Sequence, residues 1–139
     1  MTPRFLLDTN VLSEPLRLRP NPGVMAMLAA HDGELCTAAP VWHELRFGCA
    51  RLAEGAKRRA LQDYLDEVVA PFVPVLPYDA AAARFHAEER ARLGGMGKPP
   101  PFVDGMIAAI AHTRELILVT HNMVDVAGFD GLQVVDWFS

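Results

Sequence analysis

Apolar positions along this chain fall into two kinds of block: short solid runs, and longer stretches repeating at helical spacing. Phe5-Leu6-Leu7 is a solid run stopped by Asp8 and reads as a buried strand. Residues 9–16 read as a short helix halted near Pro15, and residues 17–22 as a loop in which Arg17 and Arg19 precede Pro20. Val24, Met25, Leu28 and Ala29 recur at helical spacing up to Gly33, and residues 34–38 form a second candidate strand. Pro40 suits a first helical position, and Val41, Trp42, Leu45, Cys49 and Leu52 then line one apolar face that ends at Gly55. The spacing predicts another helix over 57–69, with Leu61, Leu65, Val68 and Val69 inward. Residues 73–76 read as a strand, and Asp79 caps an alanine-rich helix running to about Leu93. Helix breakers fill 94–101. Residues 102–113 follow as a helix with Val103, Met106, Ile107 and Ile110 inward, and residues 116–119 and 132–135 are the last strands.

Strands alternating with helices indicate βαβ units. The expected fold is α/β: a mostly parallel central sheet of about five strands flanked by helices, in a single domain over 1–139. The helical stretch between the second and third strands is extra relative to a minimal alternation. At 51% hydrophobic and 22% charged residues, the composition excludes disorder. No apolar run approaches the ~18 residues needed to cross a bilayer. The first residues lack a signal-peptide pattern and two cysteines make no disulfide framework, so a cytoplasmic location is expected. The net charge, 13 − 17 = −4, gives no overall pull toward nucleic acid. A polynucleotide would have to be met through a local patch or through bound metal.

Ligands of open α/β folds bind beyond the carboxyl ends of the strands. Asp8 falls there, although alone it also reads as a helix cap. Glu44 stands early in its helix, with Gly48 four residues on. Gly inside a helix costs roughly 0.5–1 kcal/mol relative to Ala, so Gly48 predicts another element packed closely on the Glu44 side. Alone, Glu44 reads as a solvated acid at a helix start. Asp104 opens a helix of small apolar residues, with Ala108 and Ala111 on its face; an acid there is costly unless paired or bound to a cation. Thr120-His121-Asn122 follows a strand, and Asn122 offers a neutral oxygen; Asp125 reads as a cap or loop residue. An all-oxygen set of this kind suits Mg²⁺ or Mn²⁺, which bridge carboxylates to phosphate oxygens, as in a metal-dependent nuclease.

The segment Leu6-Leu7-Asp8-Thr9-Asn10-Val11-Leu12-Ser13-Glu14 resembles the first motif of PIN-domain proteins, and among them the VapC- and FitB-type toxins of toxin–antitoxin pairs. Trp42-His43-Glu44-Leu45-Arg46-Phe47-Gly48, Phe102-Val103-Asp104-Gly105-Met106-Ile107-Ala108-Ala109-Ile110-Ala111 and Val119-Thr120-His121-Asn122 resemble the second, third and fourth motifs, in order. The resemblance implies an endoribonuclease in which a metal-activated water attacks RNA. Asp8, Glu44 and Asp104 would hold Mg²⁺ or Mn²⁺, with Asn122 where many members have a fourth Asp, and Thr9 beside the site. It also implies a homodimer restrained by a VapB- or FitA-type antitoxin that fills the groove.

Other features carry less. Residues 94–98 are not a P-loop, because they follow a helix and Pro99 stands where Ser or Thr is required. His31, His43, His86, His112 and His121 show no metal-ligand spacing with cysteine. Lys57, Arg58 and Arg59 read as a solvated helix start that, with Arg17, Arg19, Arg46 and Lys98, can supply a basic rim. Trp137 and Phe138 are expected to pack on the body. Three rival readings remain. An aspartate-nucleophile phosphatase wants a second Asp where Asn10 stands. A receiver-like domain wants a Lys near the last strand, which neither Lys57 nor Lys98 supplies. A PIN domain acting mainly as an antitoxin or DNA-complex partner stays open because of Asn122.

Overall fold

Neighbouring residues of a strand point to opposite faces, so three buried residues in a row need cover on both sides. Phe5, Leu6 and Leu7 meet that condition: all are buried, in a strand at the centre of one five-stranded parallel sheet. The computed structural model describes residues 2–139. Its strands are β1 (Phe5–Leu7), β2 (Leu35–Ala38), β3 (Val75–Leu76), β4 (Ile117–Val119) and β5 (Val134–Val135), in the order β3-β2-β1-β4-β5. Every pairing is parallel. The chain steps outward from β1 to β3 and then returns to the other side of β1 as β4. The crevice between the carboxyl ends of β1 and β4 is therefore the topological switch point.

The helices are α1 (Thr9–Leu12), α2 (Pro22–Ala30), α3 (Ala39–Ala50), α4 (Ala56–Asp63), α5 (Ala70–Phe72), α6 (Ala80–Gly95), α7 (Phe102–Thr113) and α8 (Met123–Val126). Pro22 and Pro40 open α2 and α3, and Asp79 caps α6 by accepting from the Ala82 N–H at 2.9 Å. None of the helices is long and apolar enough to cross a membrane, among the described residues. Trp137 is buried against Phe5 and His31, as expected of the last residues.

Several expectations are corrected. The helix expected over 9–16 breaks into α1 and a 3-10 turn at Glu14–Leu16, because Pro15 lacks the N–H to continue an α-helix. Glu14 turns inward and its Oε2 accepts from the Asn21 N–H at 2.7 Å, fixing the following loop. Gly55 does not end α3 but precedes α4, at φ +156, a backbone conformation that favours glycine. The helix over 57–69 contains a π-helical stretch at Tyr64–Val69. Its wider turn keeps Leu65 and Val69 buried but rotates Val68 out to 52% exposure. Val103, expected inward, is also exposed.

The α6–α7 packing turns on one close approach. His86 is buried, its Nδ1 shares a 2.8 Å hydrogen bond with the Tyr78 hydroxyl, and burial aided by Arg90 pushes its imidazole below 6.5. Its Nε2 lies where a Cβ on Gly105 would stand only 2.4 Å away. Gly105→Ala is expected to force the helices apart and lower stability by about 2 kcal/mol, or roughly 8 °C. His86→Ala in the Gly105→Ala background should recover part of that loss; calorimetric melting of the four proteins checks it, and an additive double variant would refute the contact.

Candidate active site

Asp8 leaves β1 at the switch point and is held from three directions. Its backbone N–H donates to the Val119 carbonyl across the crevice at 3.0 Å. Its Oδ1 accepts from the Thr9 N–H at 2.8 Å, so it does cap α1. Its Oδ2 accepts from the Thr120 hydroxyl at 2.7 Å and from Asn10 Nδ2 at 3.3 Å. The cap and the candidate ligand are one and the same carboxylate. Thr120, buried at the end of β4, also accepts from the Asn122 N–H at 3.0 Å. Asn10 Oδ1 accepts from the His121 N–H at 3.0 Å, tying the two strand ends together again.

Glu44 stands on α3, exposed, with its Oε2 accepting from the Thr9 hydroxyl at 3.4 Å. The expectation that Gly48 marks a close approach fails: nothing lies within 4 Å of a Cβ placed there. The missing side chain instead leaves open a groove beside Glu44, flanked by Arg17 and Lys57. Of the expected basic rim, Arg17 is paired with the buried Glu14, Arg46 is engaged with Asp66 and with the Trp42 ring, and Arg58 with Glu54.

Asp104 sits half-buried in the first turn of α7. Burial pushes its carboxyl from the ordinary 3.8 up to about 6, and the charges of Asp8, Asp125 and Glu44 add to the rise. Asp8, Glu44 and Asp125 thus stand near enough to Asp104 for their charges to act on it. The fourth charge is Asp125 on α8, read from the sequence as a cap or loop residue. Asn122 does lie at the end of β4, but its side chain is exposed and makes no hydrogen bond among the described residues. The signal for Asp125 was its place one helical turn beyond Asn122. His121 is hydrogen-bonded to Asp136 at 3.0 Å and packs on Phe138.

No Lys, Arg or His is ion-paired with any of the four acids, among the described residues. No three His, Cys, Asp or Glu side chains there stand at ligand spacing either. The set fits a hard divalent cation in chemistry, being all oxygen, anionic and lacking protein counter-charge, without forming a closed cage.

The raised proton affinity of Asp104 has a thermodynamic signature. Between about pH 4 and 6 the folded chain holds a proton that the unfolded chain releases, so stability falls as pH rises through that window. In chelator, Asp104→Asn is expected to raise the melting temperature at about pH 7.5 by roughly 3–5 °C and to leave it unchanged near pH 4. Scanning calorimetry at both pH values checks this, and an equal shift at the two would refute the repulsion.

The PIN domain model matches residues 5–123. Toxin FitB of Neisseria gonorrhoeae is 37% identical over 121 residues, covering 85% of this chain and 87% of FitB. The tRNA(fMet)-specific endonuclease VapC of Shigella flexneri is 32% identical over 137 residues, covering 96% and 98%. The solved FitAcB complex from Neisseria gonorrhoeae superposes with a TM-score of 0.87 at 35% identity, over 94% of this chain and 95% of that one. The chain belongs to the PIN-domain family, with VapC- and FitB-type toxins among its relatives.

Proposed function

We propose that this chain is the ribonuclease toxin of a toxin–antitoxin pair, hydrolysing RNA phosphodiester bonds with bound Mg²⁺ or Mn²⁺. The observation that carries the reading is Asp104: a carboxyl pushed up first by its half-burial and then by three other acids, none of them ion-paired with a cation among the described residues. Support comes from the relatives, which are named as a toxin and an endonuclease, and from a solved relative that is a FitAcB complex.

Asp8, Glu44 and Asp104 would hold the ion, with Asp125 supplying the charge that Asn122 lacks. A bound divalent ion supplies charge neutralisation, Lewis acidity toward phosphate oxygens and a more acidic water. Thr120 and the Thr9 N–H fix the direction of the Asp8 carboxylate, and the Thr9 hydroxyl draws Glu44 toward it. With both oxygens accepting hydrogen bonds, Asp8 suits a fixed charge better than the attacking group of a phosphatase. Lys57 flanks the groove beside Glu44 without an ion pair among the described residues and can meet an RNA phosphate, while Arg17 across from it is paired with Glu14. An antitoxin partner, a homodimer and a cytoplasmic site of action complete the reading. The second reading, a catalytically weak domain that mainly binds its partner, draws on the absence of three acids at ligand spacing among the described residues. Titration calorimetry with Mn²⁺ separates the two, since only the first requires binding at the acids.

Purified protein with Mn²⁺ should cleave total RNA at defined sites, and chelation should stop it. Asp8→Ala is expected to lose about a thousandfold in rate, the several kcal/mol that metal chemistry supplies, with its circular dichroism unchanged. Full activity in that variant would sink the proposal. Asp125→Asn should lose about 10–100-fold, as losing a metal-site carboxylate does, whereas Asn122→Ala should change the rate less than about threefold. The reverse order, read in the same assay, would return the fourth position to Asn122.

A further inference from the structure

We propose that the cleft between the proline turn at 98–101 and the segment following α8 seats one unpaired nucleobase of the RNA, beside the bond that is cut. This rests on the ribonuclease reading and extends it to a specific subsite. The cleft encloses about 590 Å³, room for a nucleotide. Lys98 and prolines 99–101 form one wall, Val124 and Asp125 the other, with Phe129 between them. Asp125 thus belongs to two places at once, the acid cluster and the cleft. A base in the cleft lies next to a phosphate at the acids. Lys98 lies along the same cleft, exposed and without an ion pair among the described residues, and complements a neighbouring phosphate.

The proline wall and the base of the cleft at residues 128–130 are fixed before any ligand arrives. The proline turn starts at Gly97, in the left-handed region at φ +74, and is anchored by the Lys98 N–H donating to the Leu93 carbonyl at 2.9 Å. Three prolines in series hold their own φ angles. On the other side Arg92 Nη2 donates to the Gly128 carbonyl at 2.8 Å, and Glu89 Oε1 accepts from the Asp130 N–H at 2.7 Å. Glu89 and Arg92 are themselves joined by two 2.8 Å contacts, and Glu89 is buried. The last turns of α6 therefore clamp the proline wall and the segment at 128–130, and a ligand entering a slot held in this way loses little in ordering it.

The walls are apolar apart from Lys98 and Asp125, and Phe129 at their base is buried, so recognition is by dispersion against prolines and Val124 and is tolerant of base identity. Val124 is 88% exposed on α8, so changing it does not open the core.

The test uses an RNA oligonucleotide spanning a mapped cleavage site, with an abasic residue placed at one position at a time. Wild-type protein in Mn²⁺ should cut intact RNA and lose about tenfold in kcat/KM when the abasic residue falls at one position flanking the cut. In Val124→Asp the intact RNA should be cut about tenfold more slowly and that abasic penalty should shrink below about twofold. Lys98→Ala should weaken cleavage a few-fold and lower its salt dependence by about one phosphate contact. Equal cleavage of intact and abasic RNA at every position, or a full abasic penalty in Val124→Asp, overturns the subsite while leaving the nuclease reading in place. If Val124→Asp weakens binding of the co-expressed antitoxin but not RNA cleavage, the cleft belongs to a protein and the proposal fails. If wild-type protein cuts no RNA at all, the ribonuclease reading fails and takes the subsite with it.

Discussion

One buried hydroxyl joins the two strands on either side of the switch point. Thr120, at the end of β4, donates to Asp8 at the end of β1 and accepts from two N–H groups of the same crevice. A hydrogen bond to a charged group is worth about 1.5–3 kcal/mol, but its larger effect here is directional. It decides where the Asp8 carboxylate points, and through the Thr9 hydroxyl it orders the route to Glu44. On the opposite flank of β1, the buried Thr37 hydroxyl donates to the Leu7 carbonyl at 2.8 Å. The site-bearing end of the central strand is thus pinned on both sides.

Against that rigidity stands repulsion. Each acid reaches the site by a locally favourable route: Asp8 caps α1, while Asp104 and Asp125 occupy first turns, where the helix dipole favours negative charge. Together they are unfavourable, and Asp104 carries the strain as a raised proton affinity. Three local preferences that agree with the fold individually conflict at one point, which is the usual mark of a place kept for function.

Much of this was readable from the residues. Phe5-Leu6-Leu7-Asp8 announces a buried strand with an acid at its end, and Asp79 announces a helix start, because period and capping act over a few residues. What escaped depends on distant contacts. Asp125 has an unremarkable sequence setting, and only the packing of α8 beside α7 places it near Asp104. Thr120 reads as a strand-end polar residue until Asp8 is set opposite it. Gly48 was misread because a glycine in a helix can admit a neighbour or simply leave a space, and the chain alone does not distinguish them. Val68 was misplaced because the π turn alters the register on which the inward face was counted.

The outermost strands, β3 and β5, are two residues long. Such stubs present too few free ladder groups to template another chain, which limits edge-to-edge aggregation of a sheet built wholly from parallel strands. The same brevity disfavours strand addition as a mode of recognition. Any protein that grips this domain must do so through side chains on its helices and in its clefts, and evolution can retune that grip without touching the sheet.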